Sequence, residues 1–393
     1  MKYKFETKTI GDCCDIIKKS IHPEKGQVYT CFSLPAFDNS NTPEILNGEE
    51  IKSSKFVLDE NTILFNKLNP KFRRVWNIHS LEKYENTICS TEFLPLKAKA
   101  NIEQDYLYYY VSSPYFTRLM DGIRTGTSNS QQRIDWKQFL REPINVPSLP
   151  IQRKVVSLLR NIDKKIELNN AINNNLEQQA QAYFDELFVV HADPNWSECT
   201  LSDIGSVVAG GTPSKSKPEY YADQGIAWIT PKDLSVNKSK FISHGENDIS
   251  ELGFSKSSAA KMPAGTILFS SRAPIGYIAI AQNEVTTNQG FKSVIPNENI
   301  STAYMYFLLK NLLPTIEGMA SGSTFKEISG AAMKSVPTVM PDADTIQLFS
   351  SFCEPVFKEQ EILEAENHRL SALRDSLLPK LMSGELDVSD IEL

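Results

Sequence analysis

The residues best placed to do chemistry lie in small polar loops. In the first half, Arg73 and Arg74 sit in a basic loop with interleaved aromatics, Lys67-Leu68-Asn69-Pro70-Lys71-Phe72-Arg73-Arg74-Val75-Trp76. Arg124, Gln131 and Arg133 belong to a second stretch, 122–134, made mostly of Gly, Thr, Ser, Asn and Gln. In the second half, Thr212 and Lys215 follow the turn Gly210-Gly211, and Arg272 follows the apolar run Ile267-Leu268-Phe269. Asn288 and Gln289 precede Gly290, and Ser323, Thr324 and Lys326 close the series. Backbone N–H groups and hydroxyls in such turns can bind phosphate oxygens. Arg, Asn and Gln carry the donor and acceptor patterns that read base edges. The plainer alternative holds for each taken singly: a lone Arg is a solvated surface charge, and Gly-Gly-Thr-Pro-Ser is only a turn.

Signatures of catalysis are missing. There is no GxxxxGK[ST] phosphate loop, no HExxH and no GxSxG. The stretch Gly205 to Gly211 lacks the Gly spacing of a dinucleotide site, and the [Asp/Asn]-Pro-Pro-aromatic motif of amino-methyltransferases does not occur. His22, His79, His191, His244 and His368 are dispersed, and no acidic pair stands out as a dyad. The 6 Cys form no CxxC and have no His partner at ligand spacing, so free thiols and no metal are expected. Many active sites are assembled from distant positions, so these absences weigh against catalysis without excluding it.

With 393 residues the chain can build two or three domains. Neither a signal peptide nor an apolar run of the ~18 residues needed to cross a bilayer is present, which predicts a cytoplasmic protein without a membrane partner. A net charge of −7 argues against a nucleic-acid partner only until it is located. Residues 341–393 hold 4 basic and 12 acidic side chains, so the excess lies there and the rest of the chain is close to neutral.

Two long helices must organise these loops. From 149 to 190, two heptad seams run through Val155, Ile162, Asn169 and Leu176, and through Leu159, Ile166 and Asn173. A step of 194 residues carries the first seam onto Phe349, Val356, Leu363 and Leu370, and Asn173 onto Asn367. An Asn in such a seam costs stability and fixes register. An unbroken period across a long insertion predicts that the helices pair with each other; the alternative is two surface helices, each packed on its own domain. An antiparallel pair with a domain at each end would bring Asn169 and Asn173 against Asn367; a parallel pair would also bring Asn173 near Asn367 but would crowd both domains at one end. The same step carries Pro147 onto Pro341, and Leu201-Ser202-Asp203-Ile204 echoes Ile10-Gly11-Asp12-Cys13. The organisation expected is a first domain over 1–147, a first spacer helix over 148–190, a second domain over 191–340, and a second helix with an acidic tail over 341–393. The fold class is mixed α/β (α+β), two domains in tandem, with a pseudo-twofold internal repeat. Strands are expected near Lys55–Leu58, Thr62–Asn66 and Gly265–Arg272, and helices over Asp105–Met120, broken at Pro114, and Thr302–Leu313.

Taken in order, these features resemble the specificity subunit of type I restriction–modification systems, over essentially the whole chain. The resemblance rests on Val146-Pro147-Ser148-Leu149-Pro150-Ile151-Gln152 entering the first helix. It rests also on Leu373-Arg374-Asp375-Ser376-Leu377-Leu378-Pro379-Lys380-Leu381-Met382-Ser383-Gly384-Glu385-Leu386 closing the second. Gly210-Gly211-Thr212-Pro213-Ser214, Ser271-Arg272, Asn288-Gln289-Gly290-Phe291 and Gly322-Ser323-Thr324-Phe325 add to it. The first domain lacks the Gly-Gly-Thr-Pro turn, although Leu64-Phe65-Asn66-Lys67-Leu68-Asn69-Pro70 resembles another variant. Ile151-Gln152 stands for the usual Glu-Gln entry, and Asp342-Ala343-Asp344-Thr345 is a degraded copy. The resemblance implies that each domain reads one half of a split site on double-stranded DNA. The helix pair would set the spacing and dock two modification subunits. Those partners would carry S-adenosylmethionine and methylate adenine N6; restriction subunits would bring ATP and Mg. No cofactor or catalytic residue is implied for this chain. The rival readings are a coiled-coil adaptor whose two domains bind other ligands, and an enzyme whose active site lies between the domains.

Overall fold

The computed structural model describes residues 4–124, 132–322 and 326–391. It divides into two compact units that do not follow chain order: Met1–Ile166 joins Arg369–Leu393, and Glu167–His368 forms the other. Each unit therefore owns one mixed α/β domain and one stretch of each long helix.

In the first unit, strand Phe5–Thr9 runs antiparallel to Pro143–Pro147, so the domain opens and closes on one two-stranded ribbon. A four-stranded sheet has the order Cys14–Ile16, Phe93–Ala98, Thr62–Asn66, Val75–Ile78. A five-stranded sheet has the order Ser20–Ile21, Lys55–Val57, Thr87–Ser90, Val28–Phe32, Glu44–Asn47. The helical run ends at Val111 and restarts at Pro114, where Ser113 caps the new helix through its hydroxyl (3.0 Å to the Phe116 N–H). Tyr106, Phe116 and Phe139 fill the core together with Val155 and Leu159 of the first long helix and Leu378, Leu381 and Met382 of the second. The helix ends are thus part of the domain core rather than struts beside it.

The second unit repeats the plan. Ser197–Thr200 pairs antiparallel with Pro337–Met340, 194 positions after the first closing strand. A five-stranded sheet runs Gly205–Ala209, Lys292–Pro296, Ile267–Ser271, Ile275–Ala281, Phe241–Ile242, and a four-stranded sheet runs Tyr221–Ala222, Asn247–Ile249, Ile226–Ile229, Thr286–Thr287. The echo near the two starts is a matched capping box. The Asp12 carboxylate accepts from the Thr9 N–H at 2.8 Å, and Asp203 accepts from Thr200 at 2.7 Å. Phe184, Tyr304, Phe307 and Phe349 form the second core.

The long helices span Leu149–Asp185, with a wider final turn over Glu186–Val190, and Ala343–Ser383. Val155, Leu159, Asn169, Phe349 and Leu363 are buried on them, and Ile162, Ile166, Asn173, Leu176, Val356, Asn367 and Leu370 are half-buried. Leu168, Ile172, Ile362 and Leu373, off the seam, are exposed. Within the first unit Asp163 meets Arg374, and Lys154 Nζ reaches the Ser389 carbonyl. Within the second, Asn169 meets Asn367, Gln360 donates to the Asn173 carbonyl at 3.1 Å, and the Tyr183 ring packs on Phe352. Rising numbers on one helix face falling numbers on the other, so the pairing is antiparallel in each unit. One expectation needs correction. Asn169, with its neighbour Asn170, is the partner of Asn367, whereas Asn173 lies one turn further on, beside Gln360. Asn173 is half-buried there, its main-chain carbonyl taken by the Gln360 amide. All 6 Cys are free thiols; burial pushes Cys13 up to about 11 and Cys353 up to about 12, which keeps both unreactive near neutral pH.

Candidate nucleic-acid interface

In the second domain three turns are tied into one cluster. Gly210 and Gly211 are required by contact: a Cβ on the first would collide with the carbonyls of Thr287 and Asn288, and on the second with the backbone at Ser258–Ala259. The Gly211 N–H donates to the Thr287 carbonyl at 2.8 Å, and the Trp228 indole N–H donates to the Gly211 carbonyl at 2.9 Å. Asn288 shapes the next turn, its Oδ1 accepting from the Gly290 N–H at 2.8 Å. The Gly290 carbonyl then accepts both the N–H and the hydroxyl of Ser271, at 2.7 and 3.1 Å. Thr212 donates its hydroxyl to the Gln289 side chain. Thr212, Asn288, Gln289 and Arg272 are thereby brought together through backbone links, which preorganises their donors.

The charge at this cluster is graded. Arg272 pairs with Glu327 at 3.3 Å, and Lys292 approaches the same carboxylate at 3.8 Å. Burial and the neighbouring Arg272 hold the Lys292 ammonium below its usual pKa, against the pull of Glu327. Two cations sharing one carboxylate leave a net positive turn. Lys215 and Lys326 are exposed and have no side-chain partner among the described residues. Ser323 and Thr324 lie outside the described residues. Sequence reasoning overlooked Lys292, Glu327 and Trp228. Lys292 opens the buried strand Lys292–Pro296, following the apolar Phe291, and that placement of a charge was the available signal.

The first domain holds its candidates differently. Asn66 folds over the loop, accepting from the Leu68 N–H at 2.9 Å and donating to its carbonyl at 2.6 Å. The Asn69 N–H donates to the Gln132 carbonyl, and the Ile134 N–H to the Lys67 carbonyl, so the loop carrying Arg73 and Arg74 is tied to the segment carrying Arg133. Each arginine has a carboxylate: Arg74 a bidentate pair with Asp38 at 2.7 Å, Arg133 a bidentate pair with Glu92, Arg124 its neighbour Asp121, and Arg73 Asp375 at 3.5 Å. Arg73 therefore faces the helix pair of its own unit. Gln131 lies outside the described residues. Phe72, which sequence reasoning did not single out, is half exposed, with the cations of Lys71 and Arg74 over its ring at 5.0 and 4.8 Å. Exposed single-contact pairs are worth little, so Arg73 and Arg124 can exchange a carboxylate for a phosphate at small cost, whereas the bidentate pairs of Arg74 and Arg133 hold them more firmly.

The entry to the first helix has its own anchor. Gln152 is buried; its Oε1 accepts from the Glu103 N–H at 2.8 Å, and its Nε2 donates to the Pro147 and Asn101 carbonyls. This is the physical content of the Ile151-Gln152 motif. Its counterpart, Ile346, is an apolar core residue, so the second copy has traded a polar anchor for packing. Among the described residues no group of three or more His, Cys, Asp or Glu could hold a metal ion. No described helix is long and apolar enough to cross a membrane.

Comparison with known proteins agrees with this geometry. The MjaIX type I restriction enzyme specificity subunit of Methanocaldococcus jannaschii is 38% identical over 190 residues, 46% of this chain and 44% of that one. The match thus spans less than half the length of that relative. The HindI type I restriction enzyme specificity subunit of Haemophilus influenzae is 24% identical over 445 residues, covering 90% of this chain and 96% of that one. The crystal structure of the type I restriction–modification S subunit from M. genitalium superposes with a TM-score of 0.55 at 18% identity, over 96% of each chain, a likeness of fold. A family model described as the type I restriction modification DNA specificity domain matches residues 2–178 and again 194–372. Laid on both halves and over most of the length, that model makes the chain a member of the type I restriction modification DNA specificity family.

Proposed function

We propose that this chain is the non-catalytic DNA-reading subunit of a type I restriction–modification complex, each domain reading one half of a bipartite site in double-stranded DNA. The observation that carries the reading is the repetition itself. Each of the two α/β domains is closed by the same ribbon and packs on an antiparallel stretch of the two long helices, whose period persists while the polar loops diverge. A constant scaffold with divergent readers suits a split site of two unrelated halves and one gap. The helix pair sets that gap and docks two modification subunits. Those partners supply S-adenosylmethionine and the adenine-N6 chemistry, and restriction subunits supply ATP and Mg. Within this chain, the Arg272–Gln289 turn cluster and the Arg73–Arg133 loops meet the bases and phosphates, with Lys215 and Lys326 as phosphate contacts.

Replacing residues 1–147 with the corresponding domain of another specificity subunit tests this. Methylome sequencing of the host should show one half-site changed, with the other half and the gap preserved. A swap that altered both halves would defeat the modular reading.

A further inference from the structure

Beneath the second domain, beside the helix seam, charged side chains gather around one buried lysine. Lys240, at the edge of strand Phe241–Ile242, is almost fully buried. Its ammonium donates to Gln360 Oε1 on the second long helix at 2.7 Å and pairs with Glu177 on the first. Lys310, from helix Thr302–Asn311, reaches the other oxygen of Glu177 at 2.5 Å. The Glu364 carboxylate accepts the main-chain N–H groups of Lys240 and Phe241 at 2.7 and 3.1 Å, and the Lys240 ammonium lies 4.1 Å from the centre of the Phe357 ring. One side chain thus touches both long helices and the recognition sheet at once.

The first unit joins its domain to the helices with different residues. Tyr109 donates its hydroxyl to Asp163 at 2.6 Å, Asp163 pairs with Arg374 at 2.7 Å, and Arg73 reaches Asp375. The repeat step of 194 maps Asp163 onto Phe357 and Arg374 onto Ala180; it maps Glu177 onto Ser371 and Gln360 onto Ile166. Neither cluster has a counterpart at the repeat-related positions. The helices repeat in their seam and differ where a domain is bolted on. Buried charges are directional and intolerant of displacement, because a slide of an ångström strands them. Apolar packing would permit that slide.

We propose that Lys240 is a positioning residue: by joining the second domain to both long helices, it fixes where the second half-site is read and so which gap between half-sites is accepted. This rests on the DNA-reading function proposed above. It also implies that each domain is keyed to its own stretch of the helix pair.

The test uses the full chain with its modification subunits in the host, and methylome sequencing reads the motif and the gap. Wild type should methylate one bipartite motif at one gap. Lys240→Met should keep both half-site sequences but lose at least tenfold in discrimination between that gap and gaps one base pair longer or shorter. Should the stranded Glu177 carboxylate prevent folding, the double variant Glu177→Gln/Lys240→Met removes both buried charges and should give the same relaxed gap. Unchanged gap discrimination in a methylating variant overturns the proposal. So does a uniform fall in methylation at all gaps with discrimination intact, which is what a purely structural lysine predicts. If wild type itself carries no bipartite motif, it is the DNA-reading function that fails, not the role of Lys240 within it.

Discussion

Arg374→Met should destabilise the first unit by removing one charge of a partly buried pair. Arg374 Nη1 lies 2.7 Å from Asp163 Oδ1, its Nε lies 3.1 Å from Asp375, and the Arg374 and Asp163 side chains are 22% and 24% exposed. Two unit charges ~4 Å apart at an effective dielectric of ~20 attract by about 4 kcal/mol. Partial exposure screens that, and Asp163 keeps the Tyr109 hydroxyl, so the loss should be about 2–3 kcal/mol. For a unit of this size each kcal/mol moves the melting temperature by about 2–4 °C, so a fall of roughly 5–10 °C is expected. Asp163→Asn/Arg374→Met should recover at least half of it, because the amide still accepts from Tyr109 and Asp375, more exposed, keeps Arg73. Differential scanning calorimetry of wild type, both singles and the double closes the cycle. Lys232→Met, which removes an exposed pair with Glu246, is the control and should melt as wild type does. An Arg374→Met protein that also melts as wild type does, or a double variant no better than the single, would refute the buried-pair argument.

At the candidate interface, Arg272→Ala should weaken duplex binding by ~1–3 kcal/mol and relax specificity at one base, if Arg272 reads that base. Lys326→Ala should weaken binding to all sequences and reduce the salt slope, as a phosphate contact does; electrophoretic shifts across a salt series separate the two outcomes. For the spacer, a four-residue insertion after Ile166, matched by one after His368, lies clear of the Lys240 cluster and adds about one helical turn, ~6 Å. At ~3.4 Å per base pair the methylated gap should grow by one or two base pairs, and full methylation at the old gap would exclude the helix pair as the spacer. Asp105 gives a pH signature. Burial pulls its carboxyl upward, but the hydrogen bond and charge of His79, with Asn77 and Arg160, outweigh it and hold the pKa below the usual value. A depressed carboxyl stabilises above its unfolded pKa of ~3.9 and loses that contribution as pH falls through the lower folded value. The melting gap between wild type and Asp105→Asn should therefore be present at neutral pH and close below about pH 4; a gap independent of pH would count against it.

The scaffold was legible because a heptad period leaves a trace in one dimension. Val155, Leu159, Phe349 and Leu363 lie where the period puts them, and the Pro114 break and the paired starts at Ile10 and Leu201 follow from local capping chemistry. The clusters joining domain to helix were not legible. Glu177 and Lys240 are 63 positions apart, and each reads singly as a solvated charge; only the folded chain shows that they meet. The candidate loops are intermediate. Their polar composition was visible, but the carboxylates beside Arg73, Arg74, Arg133 and Arg272 come from distant segments, and no sequence period links them. Asn169 meets Asn367 as expected, but Asn173 lies beside Gln360 instead, because composition marks a polar layer but not its stagger.

The division into a contiguous unit and an interrupted one has a consequence for biosynthesis. Glu167–His368 is continuous, so all its residues have been made once His368 has been added and has cleared the ribosomal tunnel. The other unit starts first, yet its core includes Leu378, Leu381, Met382 and Val388 and stays open until those residues too have been added. Domains commonly fold from the N-terminal end as they are made; here the later half can close while the earlier one waits. We expect arrest peptides or limited proteolysis of nascent chains to find residues 167–368 protected before residues 4–166. During that interval the apolar faces of Val155 and Leu159 lack their cover, and this is when a chaperone has something to hold.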